Sequence, residues 1–401
     1  MNIVKAQLKK SKWLRSVFTQ PAEDYVPDFR LVEAGLNVNH KTALKFSAVF
    51  SAISIRAENI ASLPKNVYFH GTKGKESVTD HPVYDLIHYQ PNPLMTDFVF
   101  WEFIESCVAG WGNAYAVIET DANGYAVALW PQSPDNVEMI LSKNALFYKI
   151  LGGNFKGTYP SGSILHFKSL SLDGLRGIDP VSYHAQSIGL GIAAQDFAAD
   201  YFKTGGNIKG VLESEGQLGD TEYKKFLEHY QNAAKNFATP LLEYGIKYKA
   251  VGVSPEAAQM IQTRIFQIQD VSRIWKVPVS LLAEHTHSTF TNTEQQDIQF
   301  VKYALRPEVK RFETECEVKL FTKSERARFS VKFDLKGLLR GDLKTQAMWY
   351  HYAIFDGWLN RNEVRDLENL NPVEGLDEYL VPVNMQTPEA LEKTLQTINN
   401  K

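Results

Sequence analysis

Glu284, His285 and His287 place a carboxylate and two imidazoles within four consecutive positions. Groups of this kind hold divalent metals or move protons, so their setting decides between chemistry and surface. The run is polar throughout, Glu284-His-Thr-His-Ser-Thr289, comprising Glu284, His285, Thr286, His287, Ser288 and Thr289. A zinc site needs three or four ligands in fixed geometry. Two histidines at i,i+2 in a loop, with no later histidine at ligand distance, do not supply it, and the segment reads as a polar loop tip. His166 lies in the apolar run Ile164-Leu-His-Phe167 and His81 precedes Pro82; both read as structural. The rival reading is a peripheral hydrolase using His166 or the His285/His287 pair.

Other catalytic signatures are weak. Gly189-Leu-Gly-Ile-Ala-Ala194 loosely matches a dinucleotide fingerprint, but it falls inside a helical pattern with no preceding strand, so the phosphate-cradling turn cannot form. Gly71-Thr-Lys-Gly-Lys75 lacks the Walker spacing. No Gly-x-Ser-x-Gly elbow occurs. Cys107 and Cys316 lie in apolar helical contexts without metal-type spacing, as expected for buried thiols in a reducing compartment. No metal, cofactor or enzymatic activity is expected.

The elements that carry the polar tip say more. Thr291-Asn-Thr-Glu294, which includes Asn292, has the spacing of a capping box. Val301, Leu305, Val309, Phe312, Cys316 and Leu320 then recur at helical spacing. Pro307 removes one helical donor and is expected to kink this helix rather than end it. The pattern predicts a flexible polar tip mounted on a long bent helix.

A second long helix is expected from Asp179, an N-cap followed by Pro180 at the first helical position, to Lys203 before Gly205-Gly206. At 1.5 Å per residue it spans about 35–40 Å. Its middle, with Ile188, Leu190 and Ile192, carries no charge on any face, and Phe197 follows. Such a helix must be buried on several sides, which favours packing against identical neighbours. A third, from Ser254-Pro255 to Val277-Pro278, carries Ile261, Ile265 and Ile268, with Val271, on one face. Between them lies an insert of fewer than ~50 residues, with strands expected at 210–213, 241–244 and 248–251 and a helix at 220–235.

The rest reads as an α+β arrangement. A helix is expected at 43–62, a strand at 66–69, a charged turn at 71–75 and an aromatic-rich helix at 96–109. The hairpin 113–118/126–130 turns on Asp121-Ala-Asn-Gly124, and strands follow at 137–141, 147–151 and 164–167. Phe329 to Leu335 reads as a strand, Leu343 to Phe355 as a helix stopping at Gly357, and Asn360-Arg-Asn-Glu363 as a capping box. Residues 1–18 are basic and read as a mobile tail, a short surface helix or a segment for an acidic partner. No apolar run reaches membrane-spanning length. A formal net charge of −3 over 401 residues argues against tight nucleic-acid binding.

Several motifs, taken in order, resemble the HK97-type portal family of tailed bacteriophages. They are His81 to Leu86 with Gln90-Pro-Asn-Pro93, Gly112-Asn-Ala-Tyr-Ala116, Ile164-Leu-His-Phe167, Gly174-Leu-Arg-Gly-Ile-Asp-Pro180 and Val277-Pro-Val-Ser-Leu-Leu282. Asn292-Thr-Glu-Gln-Gln296, Leu305-Arg-Pro307, Leu338-Leu-Arg-Gly-Asp342 and Asn362-Glu-Val-Arg365 with Glu368 to Gly375 complete the set. Each alone is weak; their order and spacing are specific. Asp179 stands where such proteins commonly carry serine, and the His285-Thr-His287 tip departs from the usual small or apolar residues.

The resemblance implies an elongated α+β subunit of a ring of about a dozen copies at one capsid vertex. It implies an N-terminal tail (1–40), a wing (41–178), stem helices (179–205 and 254–278), a clip (206–253) and a tunnel loop (279–293). A long kinked helix with a return strand to the wing (294–336), a crown (337–380) and a C-terminal tail (381–401) would follow. Residues 284–289 and Asn292 would line the channel. Ile188, Leu190, Ile192, Phe197, Ile261, Ile265 and Ile268 would pack the stem between subunits. The implied partners are double-stranded DNA without sequence specificity, the large terminase, the head–tail adaptor, and capsid and scaffold proteins. The implied setting is the virion, after assembly in the host cytoplasm.

Overall fold

The computed structural model describes residues 38–72, 74–142, 145–203, 210–213, 216, 219–235, 246–250, 257–282, 290–339, 343–368 and 370–380. The chain divides into two compact units, 1–335 and 336–401.

The first unit opens with α1 (His40–Ala43) and α2 (Ser47–Ala61). The expected single helix is thus preceded by a separate turn, closed by a capping box between Asn39 and Thr42. Strands β1 (Lys65–Gly71) and β2 (Gly74–Val78) form a hairpin, and β11 (Phe329–Phe333) pairs antiparallel with the other edge of β1, Val67 opposite Val331. The charged segment read as a turn therefore contributes to a strand, whose residues Gly74 to Ser77 are exposed on both faces. Helix α3 (Pro82–His88), which sequence patterning missed, starts at His81, whose Nδ1 accepts from the Val83 amide.

Helix α4 (Asp97–Trp111) ends at Gly112 in the left-handed conformation, φ 72°. Strands β3 (Asn113–Thr120), β4 (Ala126–Gln132) and β8 (Ile164–Lys168) form one sheet in the order β4-β3-β8. Strands β5 (Val137–Ser142), β6 (Ala145–Ile150) and β7 (Gly157–Pro160) form another. The two sheets share a small core of Tyr115, Val117, Met139, Tyr148, Ile150 and Ile164.

The predicted N-cap is present: Asp179 accepts from the Ser182 amide at 3.0 Å and from the His40 ring at 2.9 Å. The helix after it is not continuous. A single turn, α5 (Pro180–Tyr183), is separated from α6 (Ala185–Lys203) by His184, whose φ/ψ of −106°/21° lie outside the helical region. In the insert, β9 (Gly210–Glu213) pairs antiparallel with β10 (Lys247–Ala250), and α7 (Asp220–Lys235) joins their neighbourhood in sequence. Gly205-Gly206, the strand expected at 241–244 and the start at Ser254-Pro255 lie outside the described residues.

Helix α8 (Ala257–Trp275) leads into a short 3-10 turn, Val279–Leu282. Beyond residues 283–289, which lie outside the described residues, come α9 (Phe290–Phe300), a five-residue π turn at Val301–Leu305 and α10 (Arg306–Leu320). The main core lies where α10 meets α4, β8 and β11. Trp101 packs edge-on against Phe333 at 4.9 Å, and Phe312 contacts Phe167 at 4.8 Å, all deeply buried. Cys107 and Cys316 are both buried and free. Burial pushes both thiols up, Cys107 to about 12, as expected for inert core cysteines.

The second unit contains α11 (Leu343–Phe355) and α12 (Arg361–Leu367). Gly357 has φ 73°. The predicted capping box is formed: Asn360 Oδ1 accepts from the Glu363 amide at 2.8 Å, and Glu363 Oε2 accepts from the Asn360 amide at 2.7 Å.

Candidate functional site

The polar tip, residues 284–289, lies outside the described residues, as do the side chains of Asn292 and Ile261. The structure describes what holds the tip. On one side, α8 ends at Trp275 and Lys276 adopts a left-handed φ of 56°. On the other, α9 begins at Phe290, one residue before Thr291. Thr291 is therefore inside the first turn rather than at the N-cap where the capping-box spacing put it. The two sides are tied by Ser280 Oγ, which donates to Gln296 Oε1 at 2.8 Å. They enclose a shallow groove of about 350 Å³ bordered by Lys276, Gln296, Gln299 and Tyr303.

Pro307 was expected to kink the long helix. The structure records a π turn immediately before it, closed by the Arg306 amide on Val301 O. A proline ring collides with the carbonyl four residues back and offers that carbonyl no donor. Widening the preceding turn to i→i−5 bonding relieves the collision. Phe300, Val301, Ala304 and Leu305 remain buried, while Tyr303 is left 59% exposed.

The residues expected to pack a stem separate into two groups. Ile188 is 1% exposed and belongs to the core of its own chain, where α6 packs along α8. A Cβ on Gly191 would lie 2.8 Å from the Phe46 ring, so a glycine lets α6 approach. Burial that sequence reasoning assigned to neighbouring copies is here supplied from within. Ile192, Ile265 and Ile268 are half-buried. Leu190, Phe197 and Phe266, by contrast, are 52%, 54% and 51% exposed, so the two long helices keep large apolar side chains uncovered.

His166 does not present a catalytic imidazole. Its ring is buried, with Nε2 3.0 Å from Asn113 Oδ1 and Nδ1 2.9 Å from the Tyr148 hydroxyl. A carboxamide oxygen only accepts, so Nε2 carries the hydrogen and Nδ1 accepts from Tyr148. Burial, reinforced by the charges of Lys168, Lys319 and Arg176, drives the imidazolium well below its ordinary range. A neutral ring with both nitrogens engaged is a structural link. No group of three or more potential metal ligands occurs among the described residues, and His285 and His287 lie outside them.

Two clusters escaped sequence reasoning. In the first, Asn113 accepts from the Gly177 amide and donates to the Gly177 carbonyl. This joins the Gly112-Asn motif to the Gly174–Pro180 motif; the only sequence signal was that both contain glycine next to polar residues.

The second cluster is ionic and buried. Arg56 on α2 reaches Glu105 on α4 with Nε at 2.8 Å and Nη2 at 2.7 Å, both on Oε1. Its Nη1 donates to the Trp275 carbonyl at 3.1 Å, and Nη2 lies 3.6 Å from Glu308 Oε2 on α10. Arg311 donates to the same Glu308 oxygen at 2.9 Å. Burial pushes Glu105 up to about 7, opposed by Arg56 and reinforced by Glu308. Arg56 stays charged because the two carboxylates outweigh its own burial. A lone arginine in the apolar run of α2 was the available clue.

Comparison with known proteins agrees with this architecture. The family model described as phage portal protein matches residues 47–369. The portal protein of Enterobacteria phage HK97 is 27% identical over 349 residues, covering 85% of this chain and 82% of the HK97 protein. A protein of Streptomyces phage phiC31, described as a probable portal protein, is 30% identical over 373 residues, covering 88% and 81%. Among solved structures, an HK97-family phage portal protein from Corynebacterium diphtheriae superposes with a TM-score of 0.59 at 15% identity, covering 75% of this chain and 96% of that one. A chain from the neck of an empty gene transfer agent particle gives 0.61 at 19% identity, covering 88% and 96%. The mixed helix-and-sheet fold is that of portal proteins, and this chain belongs to the phage portal protein family.

Proposed function

We propose that the chain is the repeating subunit of a closed ring, of about twelve copies in the particle, through which double-stranded DNA is packaged and later released. The observation that carries the reading, beyond family membership, is the exposed apolar set Leu190, Phe197 and Phe266 on the paired long helices. Side chains of this size are an interface when they fall together on otherwise ordered helices. A ring supplies the cover: each stem packs on the next.

In this reading residues 284–289 and Asn292 face the channel. A conduit must not grip its cargo, since each Lys or Arg that engages a phosphate releases counterions and adds affinity. The tip has one carboxylate, two imidazoles and three hydroxyls and no Lys or Arg, which suits sliding. The insert around β9 and β10 would dock the large terminase and then the head–tail adaptor, with capsid and scaffold proteins around the wing. The ring would occupy one capsid vertex after assembly in the host cytoplasm. The chain itself is read as structural rather than catalytic, with the energy for DNA movement coming from the terminase. No described helix is long and apolar enough to cross a membrane.

The test is assembly. Leu190→Glu with Phe197→Glu should leave the circular dichroism spectrum of the subunit intact and abolish rings in negative-stain images. Normal rings from the double variant would overturn the stem interface.

A further inference from the structure

The Arg56 cluster leaves two buried carboxylate oxygens, Glu105 Oε2 and Glu308 Oε1, without a hydrogen-bond partner. Glu105 is 0% and Glu308 5% exposed. An orphaned buried acceptor is destabilising, more so when charged, so two in one cluster call for an explanation. The geometry supplies one. Both carboxylates meet the same nitrogen, Arg56 Nη2, at 2.7 and 3.6 Å, so they crowd one guanidinium. Like charges sharing a site do not both ionise readily. A single added proton would turn one orphan into a donor for the other.

We propose that Glu105 and Glu308 share one proton in the folded chain, with Glu105 Oε2–H donating to Glu308 Oε1, and that this proton latches the start of α10 to α2 and α4. The charged groups facing Glu105 are Arg56 on α2 and Glu308 and Arg311 on α10, and Arg56 Nη1 donates to the Trp275 carbonyl at the end of α8. Arg311, partly exposed, neutralises Glu308 from the solvent side, so Glu105 carries the proton. The proton comes from water and returns to it; no covalent bond between heavy atoms changes. The latch lies directly beyond Pro307 and the π turn, at the base of the helix that bears the polar tip. Loss of the proton would set two carboxylates against one guanidinium and loosen that base.

The sign follows from the direction of the shift. A carboxyl whose folded pKa lies above its unfolded value binds its proton more tightly when folded. Its contribution is full below the unfolded pKa and is lost as pH rises through the folded one, here about 7.

Infrared spectroscopy of the full-length chain tests this, because the protonated-carboxyl stretch is separate from that of carboxylate. Near pH 6, where ordinary carboxyls are ionised, the native chain should show this band and lose it by about pH 9. Glu105→Gln and Glu308→Gln should each abolish it. Absence of the band in the native chain near pH 6, or its persistence in either variant, would overturn the shared proton. Amide hydrogen exchange provides a second readout in the same samples. After correction for intrinsic rates, amides 308–312 should exchange about tenfold faster near pH 9 than near pH 6 in the native chain and not in Glu105→Gln. Equal ratios in the two proteins would overturn the latch.

Discussion

Asn113 and Gly177 are 64 residues apart and exchange two hydrogen bonds: Nδ2 to the Gly177 carbonyl at 2.9 Å, and the Gly177 amide to Oδ1 at 2.8 Å. The same Oδ1 receives the His166 ring, and Ser169 N donates to Gly112 O at 2.9 Å. One carboxamide thus joins the end of α4, the strand β8 and the approach to α5. Asn113→Ala should remove four bonds, since Nδ2 also donates to the Trp111 carbonyl at 3.1 Å, and leave the Gly177 carbonyl and amide and the His166 Nε2 without this partner. The expected loss is about 2–4 kcal/mol, read as a lower denaturant midpoint at unchanged slope. Asn113→Asp keeps Oδ1 but sets a second acceptor against the Trp111 and Gly177 carbonyls, so it should not recover the loss.

Gly112 fails differently. With φ 72°, a Cβ there would lie 1.9 Å from the Ile178 carbonyl oxygen, which is backbone and cannot step aside. Gly112→Ala should therefore cost more than the left-handed penalty of about 1–2 kcal/mol. Rescue by a smaller neighbour should fail, because no side chain is the obstacle. Solubility and midpoint of the purified variant measure both statements.

Buried neutral histidine makes a pH prediction with a definite sign. His166 has its folded pKa pushed well below the ordinary imidazole value by burial. As pH falls through that ordinary value near 6.5, the unfolded chain takes up a proton that the folded chain refuses, so stability falls. Thermal unfolding from about pH 7.5 to 5 should show this loss. His166→Gln should flatten that part of the profile while lowering stability at neutral pH; an unchanged slope would count against it.

Pro307 and the π turn predict a local effect. Pro307→Ala restores a donor to the Tyr303 carbonyl and removes the ring collision. The segment 301–307 should then relax to α geometry, gaining up to about 3 kcal/mol of intrinsic helix preference. Amide exchange across 301–306 should slow. Because the π turn rotates everything N-terminal to it, the same variant should reorient α9 and the tip it bears.

Much of this architecture was legible in the sequence, and the misses have physical causes. Caps depend on local spacing, and most read well: Asp179, the Asn360/Glu363 box and the left-handed Gly357 form, while Thr291 falls inside its helix rather than at the cap. The hairpin at Asn123-Gly124 formed in the expected place for the same reason. Strands β2 and β7 and helix α3 were missed, being short or exposed and so without a strong apolar period. The break at His184 depends on neighbouring packing, which no local rule encodes. The apolar α6 was read as an intersubunit face, and part of that face is covered within the chain by Phe46 and α8. Periodicity gives the need for cover, not its source. The Arg56–Glu105–Glu308 cluster joins residues 49 and 252 positions apart along the chain, so it was invisible to spacing.

If α6 and α8 form the proposed stem, single substitutions on α6 should sort into two outcomes. Ile188→Glu, at a site 1% exposed, should unfold the junction itself, since an unpaired charge would be buried. Leu190→Glu, at a site 52% exposed, should leave the subunit folded and remove only assembly. Circular dichroism and size exclusion on the two variants distinguish these effects.

Electron microscopy of the purified full-length protein, with native mass spectrometry of the same sample, reads the assembly itself. Closed rings of about twelve subunits with a central pore wide enough for a DNA duplex are the expected result. A stable, well-folded monomer at high concentration would contradict it.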